Sequence, residues 1–398
     1  MPRQGGRHHG RRRMGVPRIL TMYFPAETIW RNLYVHIPYC AGKCGYCAFY
    51  SETQSSLASR RIYLDALSDF LQRQEYKEPL ETVYIGGGTP NFLTAAELAE
   101  LFEAIKKIVP LTGDCEISCE LNPELLTPAK MSVLDEHASR LSLGVQSFAE
   151  NVRLKLMRKC SQEHLHNALK LLEKRRAKHF NIDLIYGVEG VDWHGFEHDI
   201  CCAVNSGADH LSCYSLTAEE NSRLGLQAPT ADDSESADFW LKLGRFLEQY
   251  KFERYEISNY AAKNCQCRHN VNVWRGGTLL GVGAAAAGFD GRDRYAFKED
   301  IDAFTSGEEP VFDRITPLAR MLEILAVNLR TTAGWQKDCW EKLYPGTWEK
   351  ISQRAAVASS AVPENWIITP ERIALSESGL LFWDDAAMQI IDWEENWD

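Results

Sequence analysis

No stretch of this chain approaches the roughly 20 consecutive apolar residues that a membrane-spanning helix needs, the longest run of small apolar residues lying near Gly281 to Gly288. No membrane span is expected, although peripheral contact with a bilayer stays open. The first residues, MPRQGGRHHGRRRMG, lack the apolar segment of a secretory signal, and no acidic residue occurs before Glu27. A disordered tail, an upstream start with Met14 or Met22 as the working one, and an Arg-rich presequence are the readings for residues 1–30. Positive charge is not in surplus, because 44 Lys and Arg face 55 Asp and Glu for a net charge of -11. Nucleic acid is therefore not an expected partner. Twelve cysteines in 398 residues are too few for a disulfide scaffold. Their local clustering fits metal chemistry in a reducing, cytoplasmic setting.

What is present is an ordinary globular composition, 45% hydrophobic and 25% charged. Short runs rich in β-branched and aromatic residues recur at Leu33–Ile37, Thr82–Ile85, Cys115–Leu121, Arg140–Val145, Asn181–Ile185 and His210–Leu216. Between them YLDALSDFLQRQ, AAELAELFEAIKKI and EHLHNALKLLEKRR place leucines at three- and four-residue steps. Six β-α units in series predict an α/β fold, either an open partial barrel or a doubly wound sheet, with ligands at the carboxyl ends of the strands. The unusual residues fall there: a cysteine loop after the first strand, GGGTP (Gly86–Pro90) after the second, Glu120 and Asn122-Pro123 at the third, and Gln146-Ser147 after the fourth.

Cys40, Cys44 and Cys47 are spaced C-x3-C-x2-C, and Phe49, at the next close position, cannot ligate anything. A structural zinc site wants four ligands, and only Cys265 and Cys267 could supply the remainder. Three buried free thiols are a poor reading for a polar, Gly-containing loop. An iron–sulfur cluster with three thiolates and one iron left open is preferred over zinc. Consecutive glycines in GGGTP permit positive φ and a close backbone approach, leaving N–H groups for a polar ligand. The loop carries neither GK[ST] nor GxGxxG.

With these motifs in place, the chain resembles the radical S-adenosylmethionine (SAM) superfamily, whose hallmark is the C-x3-C-x2-C loop after the first barrel strand. The resemblance narrows to the oxygen-independent coproporphyrinogen III oxidase-like group and its HemW-like haem-chaperone branch. It runs from Leu33 to about Gly379 through HIPYC, IGGGTP, ELNP, LGVQSF, NIDLIYG, YEISNYA, CRHNVNVW and GVGA. It implies a partial (β/α)6 TIM-like barrel over residues 31–290, extension included, and a small C-terminal winged-helix-like α+β domain over 291–398.

The same resemblance implies a [4Fe-4S] cluster on Cys40, Cys44 and Cys47, with SAM filling the open iron site. The SAM contacts carried over are Tyr34, Gly87, Gly88, Thr89, Glu120 on the ribose, Gln146, Arg158 and Asp183, with main-chain contacts near Ile185 and Thr217. His269, in HNVNVW, stands where the branch places a haem-linked segment. Val273 replaces a tyrosine there, and GVGAAAAG, up to Ala287, lacks a histidine that relatives carry in GAGAHS. Expected partners are haem-accepting proteins and an electron donor such as a flavodoxin or ferredoxin. The oxidase branch usually has cysteine where this chain has Phe49, which disfavours coproporphyrinogen decarboxylation. A methyltransferase and a non-catalytic zinc-binding protein remain alternatives.

Overall fold

Six of the strands were anticipated, and they form in sequence order: β1 (Asn32–Ile37), β2 (Leu80–Gly87), β3 (Leu111–Leu121), β4 (Arg140–Gln146), β5 (His179–Tyr186) and β6 (His210–Ser215). The computed structural model describes residues 24, 25, 27–217, 222–224 and 233–397. The basic stretch holding Met14 and Met22 lies outside the described residues. Each strand pairs in parallel with the next, β1 through β6, without the reversal of order that defines a doubly wound sheet. The fold is α/β, a partial (β/α)6 barrel. Every residue of β4 is buried, as a central parallel strand covered on both faces requires.

Helices α1 (Leu57–Gln72), α2 (Ala95–Ile108), α3 (Pro128–His137), α4 (Glu150–Lys155), α5 (Gln162–Leu172) and α6 (Trp193–Asn205) make the crossovers. α2 starts at a reciprocal cap, the Thr94 hydroxyl accepting from Glu97 N–H while the Glu97 carboxylate accepts from Thr94 N–H, and it ends on Lys106 and Lys107. The leucine pattern predicts that α5 continues through LEKRR, but the helix stops at Leu172. Arg175 turns back instead, donating to Leu172 O at 3.1 Å and Gly207 O at 2.6 Å.

The sheet is wider than the six expected strands. After α7 (Asp233–Glu248) come β7 (Phe252–Arg254) and β8 (Asn259–Ala262), with β8 antiparallel to β6. The CRHNVNVW segment forms the short helix α8 (Arg268–Trp274). β9 (Leu279–Val282) then lies parallel to β1 on its other side, followed by β10 (Ala287–Phe289), β11 (Arg294–Ala296) and β12 (Val311–Asp313). One twelve-stranded sheet results, ordered β12-β11-β10-β9-β1-β2-β3-β4-β5-β6-β8-β7. Strands of three or four residues built from LLGV, AGF and RYA are too short and too small in side chain for a period of two to register.

The β9–β10 crossing depends on glycine. A Cβ at Gly281 would stand 1.9 Å from Ala287 O, and the backbone on both sides is sheet. Gly281→Ala is expected to cost about 2–3 kcal/mol, read as a lower urea midpoint with unchanged slope. An unchanged midpoint would show that the two strands separate freely.

After α9 (Ile301–Ser306), α10 (Pro317–Asn328) and a turn at Gly334 (φ 58°) lead into a small antiparallel sheet of β13 (Trp335–Gln336), β14 (Trp366–Thr369) and β15 (Arg372–Leu375). LARMLEILAVNLRTTAGW reads from the sequence as a helix followed by a glycine turn, and ITPERIALSESGLLF as a short hairpin and helix start, and these elements are found. Cys201, Cys202 and Cys339 fall in partly apolar stretches that read as packing positions; Cys201 and Cys202 on α6 are half-buried, but Cys339 is exposed. Among the described residues no helix is long and apolar enough to cross a membrane.

Candidate functional site

The cysteine loop leaves the carboxyl end of β1 and is pinned at its neck. Cys40 N–H donates to Glu52 O (3.0 Å) and Glu52 N–H to Pro38 O (2.7 Å), closing a one-bridge ladder between Tyr39 and Glu52. Its middle is held by Gly45, whose N–H donates to Leu156 O and whose carbonyl accepts from Leu224 N–H. A side chain at Gly45 would strike Leu224 and Met157, within 3.0 Å. The three thiols open onto one cavity of about 610 Å³. None of the twelve cysteines is in a disulfide.

Groups from other strands reach two of the sulfurs. The Thr89 hydroxyl is 3.1 Å from Cys40 Sγ, and Asn122 Nδ2 approaches the same sulfur at 3.9 Å while donating to Thr89 Oγ1 at 2.9 Å. Arg158 Nη1 lies 3.8 Å from Cys44 Sγ. Burial pushes the Cys44 and Cys47 thiols up, opposed at Cys44 by Arg158 and at Cys47 by a hydrogen bond from Phe49 N–H.

In the GGGTP loop, glycine is required by the end of β1. Gly87 adopts φ 106°, and a Cβ there would meet the His36 ring at 2.7 Å; one at Gly88 would meet Tyr39 O at 2.8 Å. The amides are not free, contrary to expectation. Gly87 N–H donates to Glu120 Oε2 (3.2 Å) and Gly88 N–H to Ile37 O (2.9 Å), because this turn must complete β1 and fix the carboxylate beside it. His36, its ring held neutral because burial lowers its pKa to about 4, donates Nε2–H to Tyr50 O (3.2 Å) and accepts from Tyr34 OH at Nδ1 (3.0 Å).

Glu120 also accepts from Tyr84 OH at 2.7 Å. Burial is the largest cause that lifts its carboxyl from 4.5 to about 7, with Asp183 adding repulsion. Glu120 thus binds its proton more tightly folded than unfolded. The resulting stabilisation is full below pH 4.5 and lost as pH rises through about 7. Relative to Glu120→Gln, the unliganded wild type is expected to lose on the order of 2–3 kcal/mol between pH 4.5 and 8. Parallel melting curves for the two proteins across that range would contradict this.

Asp183 accepts from Asn181 Nδ2 (2.7 Å) and Ser142 Oγ (3.2 Å), and burial holds its carboxyl above the usual range. Gln146 sits at a bulge where the β4–β5 register shifts, with φ 70°, so its side chain is aimed by a strained backbone. Arg158 is no solvated helix edge. It follows α4 in irregular chain, 3% exposed, with Nη2 on Asn122 Oδ1 (2.9 Å) and 3.7 Å from Glu124. The cavity brings together Cys40, Cys44, Cys47, Gly87, Gly88, Thr89, Glu120, Gln146, Arg158 and Asp183, with Ile185 and Thr217 beside them.

Tyr34 and His269 do not line it. Tyr34 lies behind Tyr84, their rings stacked at 6.2 Å. His269 lies beneath, its ring 5.1 Å from Tyr84 and its Nδ1 2.7 Å from Thr82 Oγ1. The single Thr82 proton goes to Asn32 Oδ1 (2.8 Å), so Thr82 accepts from His269 Nδ1–H and the lone pair rests on Nε2. Burial lowers the pKa of His269 to about 3, so the ring is neutral. Its neighbour Asn270 and Cys267 do reach the cavity, as the floor.

A family model of the radical SAM superfamily matches residues 34–200. Proteins named heme chaperone HemW are 32% identical in Escherichia coli K12 (65% of this chain, 69% of that one), 31% in Synechocystis (76% and 78%) and 29% in Bacillus subtilis (79% and 87%). The chain belongs to the radical SAM superfamily. It is homologous to HemW. Among solved structures, coproporphyrinogen III oxidase (HemN) from Escherichia coli superposes with a TM-score of 0.77 at 18% identity, covering 92% of this chain and 91% of that one, a likeness of fold.

Membership implies a [4Fe-4S] cluster and SAM, and the donor set suits them. Three free thiols face the cavity, and an amide and a guanidinium stand ready to donate to two of the sulfurs, which favours thiolates. When bound, the pair would supply one-electron chemistry at a carbon–sulfur bond of SAM. Sequence reasoning placed Asn122 on the rim, in Asn122-Pro123 and ELNP, but gave it no role. Its link from Cys40 and Thr89 to Arg158 follows from contacts between strands that no local pattern carries.

Proposed function

We propose that this radical SAM protein binds a [4Fe-4S] cluster on Cys40, Cys44 and Cys47, holds SAM across the strand ends, binds haem, and passes haem to acceptor proteins. The observation that carries the haem assignment is homology, at 29–32% identity and over up to 79% of the chain, to proteins named heme chaperone HemW. The cavity supports the cofactor assignment. Thr89 and the GGG turn would meet the methionyl end of SAM, Glu120 the ribose hydroxyls, and Gln146, Arg158 and Asp183 the remaining polar edge, with Tyr34 buttressing Tyr84. An electron donor of the flavodoxin or ferredoxin type would serve the cluster.

His269 is the residue we assign to haem. A neutral imidazole with its lone pair on Nε2 has the electronic form of an axial ligand. Its present packing against Tyr84 requires the α8 segment to move before iron reaches it. Haem titration of the anaerobically reconstituted protein is expected to give a Soret shift that saturates near one haem per chain. His269→Ala should weaken binding at least tenfold. Equal binding by both proteins would remove His269 from the proposal, and absence of binding by either would remove haem. Phe49, 67% exposed at the cavity mouth, replaces the extra cysteine of the oxidase branch. Coproporphyrinogen incubated with the protein, SAM and reductant should remain undecarboxylated.

A further inference from the structure

A second group of metal-ligating side chains stands at the end of the barrel opposite the cysteine loop. His179 opens β5 and Asp209 directly precedes β6, so both belong to the amino-terminal rim. The backbone fixes them together: Asp209 N–H donates to Phe180 O at 3.0 Å, and Ala262 N–H at the end of β8 donates to Asp209 O at 2.9 Å. Past β8 the chain reverses through Asn264, whose φ is 65°, and Cys265 N–H closes the turn on Ala262 O at 2.9 Å. Three separate segments thereby bring an imidazole nitrogen, a carboxylate oxygen and a thiol sulfur within 4.8 Å of one another.

The donor chemistry narrows the ligand. Imidazole, carboxylate and thiolate together suit zinc, whereas magnesium and calcium take oxygen. Zinc bonds of about 2.0–2.3 Å set tetrahedral ligand atoms roughly 3.5 Å apart. Opening the 2.8 Å contact of His179 Nδ1 with Asp209 Oδ2 by less than about 1 Å, with Cys265 closing in, gives that spacing. Asp209 Oδ1 accepts from Phe180 N–H at 2.8 Å, which orients the carboxylate as outer partners orient metal ligands. Cys265 Sγ now points its proton at Lys263 O, 3.6 Å away, and burial together with the adjacent Asp209 keeps the thiol protonated. A divalent cation would displace that proton. All three residues are half-buried, and the fourth position would be taken by water.

We propose that His179, Asp209 and Cys265 bind a zinc-class divalent cation that fastens the floor of the cavity to the base of the barrel. The connection runs through one short loop. Arg140 Nη2 holds Cys265 O and Gln266 O, each at 2.9 Å, and the next residues, Cys267 and Asn270, face the cavity. The site uses none of the cysteine-loop residues, so it stands whatever cofactor they hold.

Cobalt(II) is the probe, because thiolate ligation gives it an intense near-ultraviolet charge-transfer band. The full chain with Cys40, Cys44 and Cys47 replaced by serine removes the competing thiols of the cysteine loop, and the Cys265→Ala comparison separates the remaining cysteines. It is expected to bind one equivalent of cobalt with that band, and zinc should compete it away. Adding Cys265→Ala should abolish the band and weaken binding at least tenfold. Adding His179→Gln should weaken binding by a similar factor while the band persists at saturation. Zinc should raise the melting temperature of the parent and not of the Cys265→Ala protein. Circular dichroism checks that each variant is folded, and either ligand variant alone suffices for the comparison. No bound cobalt in the parent, or a band indifferent to Cys265→Ala, overturns the proposal.

Discussion

Cys44→Ser is expected to reduce the iron and sulfide retained after anaerobic reconstitution by more than tenfold, with little change in folding stability. Three thiolates are what the loop offers to a cubane, and a serine hydroxyl at neutral pH is a far poorer iron ligand. The sulfur of Cys44 is also the one beside Arg158, at 3.8 Å, a positive charge that favours its ionised form. Stability should scarcely change, because Cys44 is half-buried in irregular chain whose anchors are the Tyr39–Glu52 bridge and the Gly45 contacts, not the thiol. Iron per chain by colorimetry and the urea midpoint separate the two effects. Undiminished iron in the variant would mean that the cluster is not on this loop.

Arg158→Met should instead destabilise the protein by about 3–5 kcal/mol, the usual cost of removing one partner from a buried charged network. Burial opposes the Arg158 charge, and the Glu124 carboxylate, 3.7 Å away, is the anion that faces it. Methionine fills much of the same volume but leaves Glu124 without its neighbouring cation and Asn122 Oδ1 without its donor. Arg158→Lys should fall between, since it keeps the charge and loses the fork that spans Cys44, Tyr46 and Asn122. In the reconstituted protein, loss of this cation should also lower the reduction potential of the cluster, since a positive charge beside a sulfur ligand favours the reduced form. A urea midpoint equal to wild type would show that Arg158 is merely tolerated in its place.

The contrast between those two residues shows what was legible in the sequence. Cysteine spacing is local, so Cys40, Cys44 and Cys47 announce a metal loop without any tertiary knowledge. Strands β1 to β6 are likewise legible, each being a run of β-branched and aromatic residues between helical patterns. Arg158 is different: RLKLMRKC reads as a charged helix edge, and only the turn after α4, with Met157 at φ 55°, swings the guanidinium inward. His269 could be nominated by its motif, but its burial under Tyr84 depends on where α8 crosses the barrel base. The short strands β7 to β12 escaped because three or four residues are too few for a period of two to register, and β8 and β9 join the sheet through β6 and β1, far away in sequence.

One consequence follows from β9 lying alongside β1. The strand that delivers the cysteines is not an edge strand but is hydrogen-bonded on both flanks, to β2 and β9. Its amides should therefore exchange with deuterium only on global opening, while the loop beyond Pro38, held only by the Tyr39–Glu52 bridge and the Gly45 contacts, exchanges earlier. The root of the cysteine loop is thus fixed by sheet pairing on both flanks, independently of what the thiols ligate.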